Sequence, residues 1–173
     1  MTAREVYDSV TNGGGSDFAE LATILNRNKP WCLIGGLAVN CYVEPVYTID
    51  ADIVVVTERL VQILKELSAA GFAVEEFAHS VNARRGLSKL SAQFTTDPRY
   101  QRFLEGAKVM DVLGVNVPVA TLENIVQGKV WAWQDMQRRS SKRKKDELDL
   151  LRIAEAHPHL RGSIPSDIVK QLG

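Results

Sequence analysis

Apolar residues recur along the chain with two different periods. Phe18, Leu21, Ala22 and Leu25 fall on one helix face, which predicts a helix over about 17–28, with Gly13-Gly14-Gly15 as a flexible break before it and Ser16 as its cap. The run 31–34 is short, wholly apolar and closed by Gly35-Gly36, so it predicts a strand, a tight turn and a short helix over 37–42 that Pro45 ends. Residues 51–56 are apolar on both alternating faces, the pattern of an interior strand. Leu60, Ile63, Leu64 and Leu67 then give an amphipathic helix that Gly71 closes, and 72–77 reads as a weaker strand.

From 87 to 95 the alternation has a polar side: Ser88, Leu90, Ala92 and Phe94 share one face, and Lys89, Ser91, Gln93 and Thr95 the other. Asp97-Pro98 has the form of a helix cap followed by proline at the first helical position, and 108–119 holds one or two short strands. The last third is helical. Leu122, Ile125, Val126, Lys129, Val130 and Trp133 form one stripe, further helices are predicted over 146–156 and 166–172, and the basic run 138–145 is a loop between the stripe helix and the one at 146–156. The pattern is that of an α/β core over 1–120, including the N-terminal helix, and a helical section over 121–173, packed as one unit.

Asp50 and Asp52 stand at the entrance of the predicted interior strand. A carboxylate carried unpaired into an apolar interior is costly, so this pair calls for a positive charge. Residues two apart on a strand point the same way, with Cα atoms roughly 6.5–7 Å apart, so the two can converge on one cluster. Hard oxygen donors of this kind suit Mg²⁺ in phosphoryl and nucleotidyl transfer. Upstream, Gly35-Gly36 lies where a strand hands over to a helix, and missing side chains there let a phosphate approach the backbone.

Gly35-Gly36-Leu37-Ala38 followed by Thr48-Ile49-Asp50-Ala51-Asp52 resembles the motif of the DNA polymerase β-like nucleotidyltransferases, in particular the AbiEii-type toxin nucleotidyltransferases. The C-terminal part is similar too: Lys129, then Arg138-Arg139, then Lys145-Asp146 and Asp149. The resemblance implies a nucleotidyltransferase fold, a small mixed sheet flanked by helices. It also implies transfer of a nucleoside monophosphate from a nucleoside triphosphate to an acceptor hydroxyl, with Mg²⁺ or Mn²⁺ on Asp50 and Asp52. Gly35, Gly36, Thr48, Lys129 and Gln93 would bind the nucleotide. The acceptor it implies is a tRNA or another RNA, a protein, or a small molecule such as an aminoglycoside, and a cognate antitoxin is an expected partner. Family members carry an arginine two residues before the threonine, where this chain has Val46, and a third carboxylate on a later strand, where it offers Gln93. A neutral amide cannot serve as a base, so a nucleotide- or partner-binding protein without transfer activity is the alternative. In a third reading, an antitoxin-like interaction protein, the two aspartates only satisfy a turn.

Charge and cysteine content add bounds. The 21 basic and 21 acidic residues balance, so no overall field draws the molecule to nucleic acid or membrane, and any basic site is local. The run 138–145 can follow an RNA backbone or be a solvated loop, and Arg84, Arg85 and Lys89 can reach a triphosphate or be solvated. Asp146 and Asp149 share a helix face four residues after Lys142 and Lys145, a spacing that suits surface ion pairs. Lys129, on an apolar stripe, either snorkels to water or meets a phosphate or carboxylate. Cys32 and Cys41 are expected to be reduced thiols, and without a secretion signal or membrane span the protein is expected in the cytoplasm.

Overall fold

A computed structural model describes all 173 residues. Seven strands, β1 (Trp31–Ile34), β2 (Asp50–Val55), β3 (Phe72–Glu76), β4 (Ser80–Arg85), β5 (Ser91–Thr95), β6 (Lys108–Val112) and β7 (Val115–Val119), form one mixed sheet in the order β3-β4-β5-β2-β1-β7-β6. The helices are α1 (Ala3–Thr11), α2 (Gly14–Asn26), α3 (Gly35–Val39), α4 (Leu60–Ala69), α5 (Leu122–Gln134), α6 (Ser140–Ala156) and α7 (Ser166–Val169), with a short 3-10 helix over Pro98–Leu104. This is the expected mixed sheet flanked by helices. None of the helices is long and apolar enough to cross a membrane, and no disulfide joins Cys32 and Cys41.

The apolar run of β2 lies in the middle of the sheet, antiparallel to β1 and parallel to β5. Its two-sided hydrophobicity follows from that place: Ala51, Ile53 and Val54 are fully buried, with Leu33 of β1 and Phe94 of β5 beside Ile53. The pairing also lines up Ile34, Asp52, Gln93 and Asn82 across β1, β2, β5 and β4. Residues directly opposite in a sheet share a face, so Asp52, Gln93 and Asn82 form a polar row in the sheet's centre.

Several expectations are corrected. Of the glycines before the first predicted helix only Gly13, at φ +92°, interrupts the helices: Gly14 and Gly15 open α2, and α1 precedes them. Thr2 caps α1 by accepting from the Glu5 amide (3.2 Å) while Glu5 accepts from the Thr2 amide (2.6 Å). Ser16 caps nothing; instead Asp8 Oδ1 of α1 accepts from the Gly15 and Ser16 amides, at 2.8 and 3.1 Å. The glycines let α1 pack against α2, since a Cβ on Gly14 would come within 2.8 Å of Thr11 Cβ.

The second difference is β4, a strand that the sequence pattern does not predict because its alternation of buried Val81 and Ala83 with polar residues is too short to stand out. Arg84 and Arg85 are therefore strand residues, and Arg85 is committed to Asp17 at 2.6 Å. Third, β5 begins only at Ser91, not at 87. Fourth, the basic run 138–145 is not a loop throughout: α6 starts at Ser140 and includes Lys142 to Lys145. Asp97 does cap, its Oδ1 accepting from the Arg99 amide at 3.0 Å. Trp133, expected in the core stripe, is half-buried and donates to Glu147 at 2.9 Å, while Trp131 stacks on Phe103.

Candidate active site

Gly35, just past the end of β1, has φ +71°, a conformation that an L side chain rarely adopts. A Cβ there would overlap Asp52 Oδ2 and sit 2.7 Å from Asp52 Cγ. On Gly36 a Cβ would approach Thr48 Oγ1 to 3.2 Å. The two glycines are thus required first by protein neighbours: they make room for Asp52 and Thr48 against the start of α3.

Two adjoining cavities open there. One, of about 250 Å³, is lined by Gly35, Asp52, Gln93 and Lys129 together with Tyr100 and Phe103. The other, of about 70 Å³, is lined by Gly36, Thr48, Asp50, Asp52, Gln93 and Lys129. All seven residues singled out in the sequence, namely Gly35, Gly36, Thr48, Asp50, Asp52, Gln93 and Lys129, therefore border one cleft.

The positive charge that the Asp50-Asp52 pair calls for comes from α6. Lys142 Nζ lies 2.9 Å from Asp50 Oδ2. Sequence reading missed this residue, although Lys142, Asp146 and Asp149 stand at the i, i+4, i+7 spacing of one helix face. Asp146 and Asp149 are not the surface pairs their spacing suggests: both are buried. Lys129 Nζ of α5 meets Asp146 Oδ1 at 3.0 Å and Asp149 Oδ2 at 2.7 Å. Arg138 meets Asp146 Oδ2 at 2.8 Å, and Arg152 meets Asp149 Oδ1 at 2.7 Å. Of the two alternatives for Lys129, the carboxylate contact is the one found. Arg138 also lines both cavities.

Among these four aspartates only Asp52 has no ion-pair partner within 4.0 Å. Its carboxyl is pushed up to about 6, mainly by burial and further by Asp50, with Lys129, Arg138 and Lys142 offsetting part of the shift. For Lys129, burial works against the ammonium, but Asp149 and Asp146 outweigh it and hold the proton more tightly than in a free lysine.

A carboxyl whose pKa is higher in the folded than in the unfolded chain favours folding in its protonated form. Its contribution is thus fully present below the unfolded value of about 3.9 and is lost as pH rises through about 6. Metal-free protein is expected to lose stability over that window, and Asp52→Asn to remove this part of the slope. Urea unfolding at half-unit steps between pH 4 and 7.5 (roughly the window plus one unit) reads it out; an unchanged slope in Asp52→Asn refutes the assignment.

The hard oxygen donors at the cleft are the Asp50 and Asp52 carboxylates and the Gln93 amide carbonyl, and His79 also lines the larger cavity. The buried Asn82 Oδ1, opposite Gln93 on β4, has no hydrogen-bond partner. No group of three His, Cys, Asp or Glu side chains converges to hold a metal ion. The residues fit one hard divalent cation whose remaining ligands come from elsewhere, as a nucleotide's phosphates would supply them.

No protein-family model matches the sequence, and no curated protein is similar to it by sequence. Solved structures are similar in fold. The antibiotic-resistance factor ANT(2'')-Ia, in complex with adenylyl-2''-tobramycin, aligns with a TM-score of 0.61 at 14% identity over 92% of this chain and 98% of that one. An antigenic nucleotidyltransferase-like protein from Paracoccidioides brasiliensis gives a TM-score of 0.54 at 15% identity, over 91% and 96% of the two chains. The lincosamide antibiotic adenylyltransferase LnuA, bound to lincomycin, gives 0.52 at 12% identity over 77% and 92%. The chain has the nucleotidyltransferase fold that these proteins share.

Proposed function

We propose that the protein is a metal-dependent nucleotidyltransferase that moves a nucleoside monophosphate from a nucleoside triphosphate to an acceptor hydroxyl and releases pyrophosphate. The observation that carries this reading is the convergence of Asp50, Asp52, the Gly35-Gly36 turn, Thr48 and Lys129 on one cleft. Asp50 and Asp52 would hold Mg²⁺ or Mn²⁺ together with the nucleotide. Such an ion, when bound, neutralises charge on the phosphates and draws electrons from the phosphorus under attack. Thr48 and Gly36 line the smaller cavity, and the Thr48 hydroxyl and the Gly36 amide would donate to phosphate oxygens. Lys142 and Lys145, on the same wall, add positive charge where negative charge builds up. The larger cavity, with Tyr100 and Phe103 on its wall, is roomy enough for a base or part of an acceptor.

The finer assignment, an AbiEii-type toxin with a cognate antitoxin, is supported by the way Lys129, Arg138, Asp146 and Asp149 close the same cleft as the Gly-Gly and Asp-x-Asp segments. Two fold neighbours are named for antibiotics, so a small-molecule acceptor stands beside RNA and protein. A second reading is favoured by Gln93. With a neutral amide beside Asp52, no third carboxylate takes the acceptor's proton, and the site would bind nucleotide without transferring it.

The test is incubation with each labelled nucleoside triphosphate and Mg²⁺ or Mn²⁺, with tRNA, total RNA, protein extract, tobramycin or lincomycin as acceptor. Label incorporation with stoichiometric pyrophosphate establishes transfer and names the acceptor. Metal-dependent nucleotide binding without incorporation establishes the second reading, and absence of both refutes the nucleotide site altogether.

A further inference from the structure

We infer that Lys142 is a resident cation that holds the place of one divalent ion, so that the site takes a single metal ion with its nucleotide rather than two. The inference rests on the nucleotide-binding reading above and adds to it a role for a residue outside the sequence-predicted site. Nucleotidyl transfer with two metal ions needs the ions about 3.5–4 Å apart, sharing anionic oxygens. Here one of those oxygens is in use: Lys142 Nζ is 2.9 Å from Asp50 Oδ2. An ammonium so close to the carboxylate repels a second divalent ion and removes one of its ligands. The oxygens left without a cation are Asp50 Oδ1 and the pair on Asp52, which together serve one ion.

The placement of Lys142 is built rather than casual. Its neighbours one and two turns along α6, Asp146 and Asp149, both grip the buried Lys129 of α5, at 3.0 and 2.7 Å. Arg138 ties Asp146 to the segment before α6 at 2.8 Å. Arg152 runs from Asp149 to the Glu44 carbonyl at 2.5 Å, anchoring the far end of the same face to the segment that leads into β2. The lysine stem therefore starts from a helix held on both sides, and its side chain is only 32% exposed. The charge inventory of the site agrees. Gln93, at the register position beside Asp52, is neutral, so the charge available to cations here is that of Asp50 and Asp52, and the Lys142 ammonium takes up the part that a second divalent ion would use.

Electron paramagnetic resonance of Mn²⁺, titrated into the full chain with a non-hydrolysable nucleoside triphosphate analogue, counts the bound ions without relying on turnover. The wild type is expected to bind one Mn²⁺ per chain, Lys142→Met two, and Lys142→Arg one, each variant being folded by thermal unfolding. Two Mn²⁺ in the wild type, or one in Lys142→Met, overturns the inference while leaving the nucleotide site intact. If the analogue does not bind the wild type at all, the nucleotide-binding reading fails, and this inference falls with it.

Discussion

Asp50→Ala is expected to abolish the proposed transfer while leaving the protein folded. Label incorporation is expected to fall by about 10³-fold or more, because one of the two carboxylates proposed to hold the metal is gone and the nucleotide's phosphates would lose their anchor. The fold should tolerate the change. Asp50 lies at the first position of β2, and its ion-pair partner Lys142 has a side chain 32% exposed, so the freed ammonium can turn to water. A pair of this kind contributes about 0–1 kcal/mol, which leaves the unfolding midpoint within a few degrees of the wild type. Asp50→Asn sharpens the test. It keeps the size of the side chain and an oxygen to accept from Lys142, but removes the negative charge, so it should be nearly as inactive as the alanine variant. Wild-type incorporation in Asp50→Asn, with the protein folded, would show that the carboxylate pair does not hold the reacting nucleotide, and the enzymatic reading would go with it.

The parts of the fold that were legible are those where the sequence states a local rule. The strand, glycine turn and helix at 31–39 and the two-sided apolar strand β2 are set by burial on both faces and by a positive φ at Gly35, and each leaves its mark in consecutive residues. Gln93 stands on the polar side of an alternating strand where the resemblance looks for a third carboxylate, and the register of β2 on β5 sets it beside Asp52. The start of α6 was hidden for a physical reason. A helix that opens with Lys142 to Lys145 puts positive charge at the positive end of its own dipole, and no side chain caps it. Its support comes mainly from outside the helix: Asp50, on β2, for Lys142 and the Trp133 carbonyl, on α5, for Arg143. For the same reason the roles of Asp146 and Asp149 were misread. Lysines four residues before each offered a simple surface explanation, whereas the true partner, Lys129, sits on another helix.

That partner carries the second large prediction, which concerns stability. Lys129→Met should lower unfolding free energy by about 3–5 kcal/mol and the melting temperature by about 10 °C. Methionine has nearly the length and shape of the lysine stem, so the packing between α5 and α6 is kept and the loss is electrostatic. Asp146 and Asp149, with side chains 3% and 12% exposed, keep Arg138 and Arg152 but lose the ammonium that joins them. Two carboxylates then face each other across a buried gap with one guanidinium apiece. Their residual cations place the loss toward the lower end of that range. Adding Asp149→Asn to Lys129→Met removes one of the uncompensated charges and should recover part of the stability, although the same substitution in the wild type destabilises. That reversal of sign is the mark of a coupled pair and is read from a double-mutant cycle by urea unfolding. Additive effects, or a loss under about 1 kcal/mol for Lys129→Met, would mean that Lys129 does not hold the two helices together.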